Sequence, residues 1–397
     1  MKKYPRNIAP ILLAVIWIVA SLFGQSGPSA PGDQPIPRPS TPPRVTSPQV
    51  NEDRRVTFRL FAPEAKAVNL MAPDIPGNER GSPLTKDDNG IWMVTLGPLE
   101  PGAYRYNFAA DKTAVIDPRN PSVSESNNTV WSLIYVPGED FMELKDVPHG
   151  GMSSVQYYSK ALGKWRRMHV YTPPGYELGQ GKYPVLYLIH GGDDSDDSWP
   201  TVGRAGFIMD NLVASQKAKP MIVVMPAGQT SRTGGGMAEV HDFVRDFLGD
   251  IVPYVDTHYR AYADRAHRAI AGLSLGGLQT LYIAIPQVEK FDYIGIFSSA
   301  LVDLVPGRAP QGGAAPVAAW EAKHLPELDN HSAQGDLKLL WFKTGVDDHN
   351  VSISSSEATV DMLNKHGFKA VFQQSTGGHT WLNWRMYLRE FAPQLFQ

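Results

Sequence analysis

Ser274 stands at the centre of Gly272-Leu273-Ser274-Leu275-Gly276, between a strand expected over 268–271 and a helix expected from Leu275 toward Pro286. A serine hydroxyl attacks a carbonyl only when a neighbouring base takes its proton. A tight strand-to-helix turn would expose that hydroxyl, and glycines two positions to either side let strand and helix approach without Cβ clashes. Two later segments offer the missing groups. Gly345-Val346-Asp347-Asp348 follows the apolar run 337–342, so either carboxylate would stand in a loop opening from a buried strand. Gly377-Gly378-His379-Thr380-Trp381 follows a short strand expected over 370–374 and presents an imidazole in a loop of its own. Hydroxyl, imidazole and carboxylate in series are the parts of nucleophilic acyl transfer.

The order serine, acid, histidine, each just past the carboxyl end of a strand, is that of the α/β-hydrolases. Upstream, 183–189 is a near-continuous apolar run, as in a strand buried on both faces of a parallel sheet, and it ends in His190-Gly191-Gly192. In that architecture the loop after this strand and the residue after the nucleophile each give a backbone N–H to the oxyanion, which designates Gly192 and Leu275. Each such donor contributes about 3–4 kcal/mol to the transition state. His349 adjoins Asp348, but neighbours on a turn seldom meet head to tail, so His379 is the better base. His190 is expected to be a structural hydrogen-bonding residue below the oxyanion loop. Asp193-Asp194-Ser195-Asp196-Asp197 lacks the alternating oxygen ligands and terminal glutamate of a calcium loop, so a solvated acidic loop is expected and no metal site.

Residues 147–397 resemble the esterases of carbohydrate esterase family 1, relatives of which include feruloyl, acetylxylan and enterochelin esterases and mycolyltransferases. The matching segments are Arg167-Met168-His169-Val170-Tyr171-Thr172-Pro173-Pro174-Gly175-Tyr176, Leu188-Ile189-His190-Gly191-Gly192 with Trp199, 247–260 (FLGDIVPYVDTHYR), 272–277, 345–348 and Gly378-His379-Thr380-Trp381. The resemblance implies an α/β-hydrolase with a mostly parallel central sheet, and places the acid three residues after the glycine, at Asp348. The family often continues its His-Gly-Gly with further glycines; here the acidic stretch stands instead, which puts the loop's conformation in question. Trp199 and Trp381 are candidate walls for an aromatic acyl group or a sugar ring, and could equally be core.

Between about Asp53 and Val136 the hydrophobic period changes to two: Val56, Phe58 and Leu60 alternate with Thr57 and Arg59, and 91–96 and 104–108 behave alike. This predicts a small all-β sandwich. It resembles the early-set immunoglobulin-like module of glycogen-branching enzymes and bimodular family 1 esterases, through Phe58-Arg59-Leu60-Phe61-Ala62-Pro63, Gly90-Ile91-Trp92, Pro101-Gly102-Ala103-Tyr104-Arg105-Tyr106 and Asp117-Pro118-Arg119-Asn120-Pro121. Such modules are often carbohydrate-binding. Trp92 and Trp131 are expected in its core rather than as sugar platforms.

Composition fits this layout. With 397 residues, 42% hydrophobic and 19% charged, the chain can hold two domains with full cores. A net charge of −3 without a basic run argues against nucleic acid as partner. The absence of cysteine excludes disulfides and thiolate chemistry. Lys2, Lys3 and Arg6 precede the apolar stretch 8–23, which reads as an export signal over 1–24, with an uncleaved anchor as the alternative. Eight prolines between Pro28 and Pro48 predict an extended linker over 25–50. The sandwich is then expected over 51–138 and the hydrolase over 146–397. Together these imply a secreted or periplasmic serine esterase that needs no cofactor and has no stable membrane association after signal cleavage. Feruloyl esters of plant cell-wall xylan are the foremost substrate; acetylxylan or siderophore esters are alternatives, as is a non-catalytic carbohydrate-binding role. The oligomeric state is left open. Because every candidate catalytic residue lies beyond Pro148, the sandwich is expected to be separable from the chemistry, as a tether or a modest structural support.

Overall fold

The alternation of apolar and polar residues in the N-terminal part does what period two dictates: it folds as two facing sheets. In the computed structural model, which describes residues 43–232, 236–304, 311–329 and 336–397, ten strands build them. These are β1 (Gln49–Val50), β2 (Val56–Phe61), β3 (Val68–Met71), β4 (Ser82–Pro83), β5 (Thr85–Lys86), β6 (Ile91–Leu96), β7 (Gly102–Ala110), β8 (Thr113–Val115), β9 (Val123–Glu125) and β10 (Val130–Val136). One sheet runs β1-β2-β6-β5; the other runs β4-β3-β7-β10-β9, with β8 on β7. Phe58, Leu70, Tyr106, Phe108 and Val136 fill the space between them and are fully buried. Trp92 belongs to this core as expected, its indole N–H donating to the Ala62 carbonyl at 2.9 Å. The export signal and most of the linker lie outside the described residues. The boundary drawn at residue 50 falls inside the sandwich: Ser47 is buried with its hydroxyl on Asp117, and β1 already pairs with β2.

The second region is an eight-stranded sheet of β11 (Gly151–Ser159), β12 (Lys164–Thr172), β13 (Val185–Ile189), β14 (Ile222–Pro226), β15 (Arg268–Leu273), β16 (Tyr293–Phe297), β17 (Leu339–Gly345) and β18 (Ala370–Ser375), in the order β11-β12-β14-β13-β15-β16-β17-β18. The β11–β12 and β12–β14 pairings are antiparallel; the other five are parallel. Every residue of β13, β14, β15 and β16 is buried, because helices cover both faces. Helices 237–246, 275–284 and 353–365 pack on one core and helices 205–214 and 381–391 on the other. The architecture is the expected α/β-hydrolase sheet behind an all-β sandwich. The strand order reverses at β13, and ligands bind at such a switch, outside the carboxyl ends of the strands.

Sandwich and hydrolase are packed together within one compact unit, 43–397. Along β10, Ser132, Ile134 and Val136 turn into the sandwich, while Leu133 and Tyr135 pack on the hydrolase core that holds Leu188, Trp199 and Trp384. Among the described residues, no helix is long and apolar enough to cross a membrane.

Candidate active site

Ser274 is held in a backbone conformation that a side chain adopts only under constraint, with φ +51° and ψ −119°. The constraint comes from close approach on both sides. A Cβ on Gly272 would lie 2.2 Å from the Gly276 carbonyl oxygen, and one on Gly276 would lie 2.3 Å from that of His190. Only glycines let β15, the turn and the helix 275–284 fit together here, and the turn lifts the hydroxyl above the end of the sheet. Leu275, first residue of that helix, has an N–H that the helix itself does not use.

His379 comes from the loop after β18. Its Nε2 lies 2.9 Å from Ser274 Oγ and its Nδ1 lies 2.8 Å from Asp348 Oδ2. The other oxygen of Asp348 accepts the backbone N–H of Asn350 at 3.0 Å and of Val351 at 2.8 Å, and the carboxylate has no solvent exposure. Asp347 and His349 are exposed and point the choice of carboxylate to Asp348. This line can move a proton from the serine to the imidazole while the carboxylate orients the ring.

His190 sits under the loop that carries Gly191 and Gly192, fully buried. Its Nδ1 donates to the Gly191 carbonyl at 2.8 Å and its Nε2 accepts the Gly228 N–H at 2.7 Å. Burial holds its pKa below the ordinary imidazole value, in keeping with a neutral ring. Gly191 touches the Ser274 turn, and Gly192 is exposed at the mouth of the site.

The expectation of a solvated acidic loop is wrong. Asp194, Ser195 and Asp196 are buried. Asp196 takes the Arg167 guanidinium at 2.7 and 3.0 Å and His169 Nδ1 at 2.8 Å. Asp194 receives Arg105 Nη1 at 2.5 Å, and the same guanidinium grips Asp74 with Nε at 2.7 Å and Nη2 at 3.0 Å. Burial alone would depress the Arg105 pKa, but Asp194 and Asp74 hold it above its usual value. A run of carboxylates is solvated by default; here cations scattered over the chain meet it in the fold.

The serine and histidine open into a cavity of about 460 Å³. Trp381, Trp384, Leu273 and Gly192 line it from the hydrolase, and Asp74, Arg105, Ser126, Asn128, Thr129 and Trp131 from the sandwich. Trp381 is therefore on the wall. Trp199 is not: it is 1% exposed and braces Trp381 edge-on from behind, with ring centroids 5.1 Å apart. Of the two roles left open for it, wall and core, Trp199 takes the core one, in a cluster with Leu188, Val202 and Ile208. Trp131, expected in the sandwich core, instead stands half-buried on the cavity wall, its N–H 3.3 Å from Ser126 Oγ. Trp384, edge-on to the His379 ring at 5.0 Å, was also unexpected. It lies three residues beyond Trp381 on one helix, and that i, i+3 spacing is a signal the sequence does hold.

The sequence matches the family model described as "Putative esterase" over residues 159–395 and that described as "Carbohydrate-binding module 48 (Isoamylase N-terminal domain)" over residues 46–124. A protein of Xylanibacter ruminicola named "Endo-1,4-beta-xylanase/feruloyl esterase" is 34% identical over 381 residues, covering 92% of this chain and 48% of that protein. The chain thus spans about half the length of that relative. Among solved structures, a ferulic acid esterase is similar with 25% identity and a TM-score of 0.53, over 62% of this chain and 97% of that one. The enterochelin esterase of Shigella flexneri shares the fold with a TM-score of 0.63 at 18% identity, over 88% of this chain and 94% of its own.

Proposed function

As the chain belongs to the esterase family whose model spans 159–395, and is a carboxylic ester hydrolase behind a family 48 carbohydrate-binding module, we propose that it is a serine esterase acting on feruloyl esters of xylan. The observation that carries the serine mechanism is the unbroken line from Ser274 Oγ through His379 to Asp348, with contacts of 2.9 and 2.8 Å. His379 takes the Ser274 proton as the hydroxyl attacks the ester carbonyl, and Asp348 stabilises the imidazolium that forms. The N–H groups of Gly192 and Leu275 receive the oxyanion. His379 then protonates the leaving alcohol, and water, activated by the same imidazole, clears the acyl-enzyme. Every proton in this sequence is handled by the chain's own groups, so the reaction calls for no cofactor.

The substrate reading draws on the similarity to the xylanase/feruloyl esterase of Xylanibacter ruminicola and on the aromatic lining of Trp131, Trp381 and Trp384, which suits a planar hydroxycinnamoyl group. Such a polymer-linked ester is met outside the cytoplasm, so a secreted or periplasmic enzyme is part of the same proposal. Ser274→Ala in the purified protein tests the mechanism. It should lower kcat by several orders of magnitude with the thermal midpoint retained. A serine-directed fluorophosphonate should label the wild type at Ser274. Retained turnover by the alanine variant would sink the mechanism, and preference for acetylated xylan over methyl ferulate would replace the acyl group.

A further inference from the structure

The loop after Gly192 is tied to both domains: Arg167 and His169 of β12 hold Asp196, and the sandwich holds the residues on either side of it. Asn127 donates its backbone N–H to the Asp193 carbonyl at 3.0 Å, Arg105 reaches Asp194 at 2.5 Å, Ser195 Oγ donates to the Glu125 carbonyl at 2.9 Å, and the Glu125 N–H donates to Asp197 at 2.8 Å. All these partners lie on β7, on β9 or in the turn after it, so four hydrogen bonds cross from the sandwich to the residues directly following Gly192. The two proposed oxyanion donors are thereby anchored very differently. Leu275 belongs to the turn and a helix packed in the hydrolase core. Gly192 has no side chain to anchor, is exposed, and is followed by Asp193 in a left-handed conformation at φ +62°.

We propose that the β-sandwich sets the position of the Gly192 N–H, with Arg105 as a positioning residue that acts through Asp194. This rests on reading Gly192 and Leu275 as the oxyanion donors. Arg105 spends two of its donors on Asp74 within the sandwich and turns a third to Asp194, so one guanidinium fixes the distance between the two domains at the oxyanion loop. Without it, Asp74 and Asp194 would face each other as like charges at low exposure, and the loop would move toward water. A donor displaced by about 1 Å weakens the transition state far more than it weakens substrate binding. The defect therefore belongs in kcat and not in KM.

The test uses the full chain carrying Arg105→Met, Asp194→Asn, or both, assayed on 4-nitrophenyl acetate and methyl ferulate with kcat and KM separated. A trifluoromethyl ketone, which forms a tetrahedral oxyanion on the serine, is titrated in parallel. The single variants should each lose about ten- to a hundredfold in kcat, a part of what deleting an oxyanion donor costs. KM should stay near the wild-type value, ketone affinity should fall by a factor similar to kcat, and the double variant should be no worse than either single. The loss should be equal on the two esters. Wild-type kcat in a folded variant overturns the proposal. So does a loss confined to KM or to methyl ferulate, which would make Arg105 a substrate contact. If Arg105→Met does not fold, the near-isosteric Asp194→Asn carries the same test. Failure of the serine mechanism itself would be seen separately, as turnover by Ser274→Ala with wild-type Asp194.

Discussion

Asp348 Oδ2 lies 2.8 Å from His379 Nδ1, while the next carboxylate, Asp347, points into solvent. Two adjacent aspartates on one turn project in different directions, so only one can serve the imidazole. The backbone N–H groups of Asn350 and Val351 hold the other oxygen of Asp348 and fix the carboxylate before any substrate arrives.

Asp348→Asn should accordingly cost about 10³–10⁴ in kcat, because the amide leaves the ring in the wrong tautomer. Asp347→Asn should stay within about 0.5 kcal/mol of wild type in stability, with its kcat unchanged. Steady-state kinetics of the two variants on one soluble ester decide the matter, and a larger loss at Asp347 would reverse the assignment.

Trp131 and Trp199 are expected to play opposite roles. Trp131→Ala opens the cavity wall and should lower the preference for methyl ferulate over 4-nitrophenyl acetate by roughly the 0.5–1.5 kcal/mol of one aromatic contact, with little change in melting temperature. Trp199→Ala empties a core site and should cost about 3–5 kcal/mol of stability without changing that preference. Thermal unfolding and the kcat/KM ratio, measured on both, would expose an inverted pattern.

These contrasts mark where the sequence is legible. Ser274 and Asp348 each follow a buried strand, His379 follows the edge strand β18, and the glycines around all three report close backbone approach, so local pattern locates them. The sheet is equally plain, since 183–189 is apolar throughout for want of a solvent-facing side. Contacts between residues far apart in the chain leave no local trace. Arg105 and Asp194 are 89 residues apart, and Arg167 and Asp196 are 29 apart. Nothing near the acidic loop announces the cations that neutralise it. Trp131 departs from its expected place for the same reason: period two says which side of β10 it takes, not that a second domain lies beyond that side.

The acidic loop should also make the fold sensitive to acid. Burial pushes the Asp196 carboxyl up, but hydrogen bonds from His169 and Arg167 outweigh it and leave the group below its ordinary value. A depressed carboxylate contributes stability that is complete above the unfolded value, about 3.9, and is lost as pH falls through the lower folded value. Melting temperature followed from pH 6 downward should therefore fall more steeply below about pH 4 in the wild type than in Asp196→Asn. Parallel curves would mean that Asp196 does not drive the acid response.

The last prediction concerns the sandwich as a whole. A chain beginning near Lys145 would keep Ser274, His379 and Asp348, and separability would let it hydrolyse small esters normally. The interface argues otherwise. Arg385 is 1% exposed, and its Nη1 donates to the Ala103 carbonyl of β7 at 3.1 Å and to Val202 at 2.8 Å. Burial lowers its pKa to about 10, so this cation depends on the carbonyls around it. Removing the sandwich takes away one of those carbonyls, the Leu133 and Tyr135 cover over the hydrolase core, and the cavity wall that includes Trp131. The shortened chain should lose kcat/KM on 4-nitrophenyl acetate as well as on polymer, and should expose apolar surface and aggregate. Gly102→Ala tests the same interface at one atom. Its Cβ would lie 2.4 Å from Arg385 Nη2 inside a packed interior, so it should lower the melting temperature by several degrees in the full chain. A shortened chain that unfolds cooperatively and turns over the small ester at the wild-type rate would show that the sandwich only tethers the enzyme, because tethering raises local substrate concentration and leaves the transition state untouched.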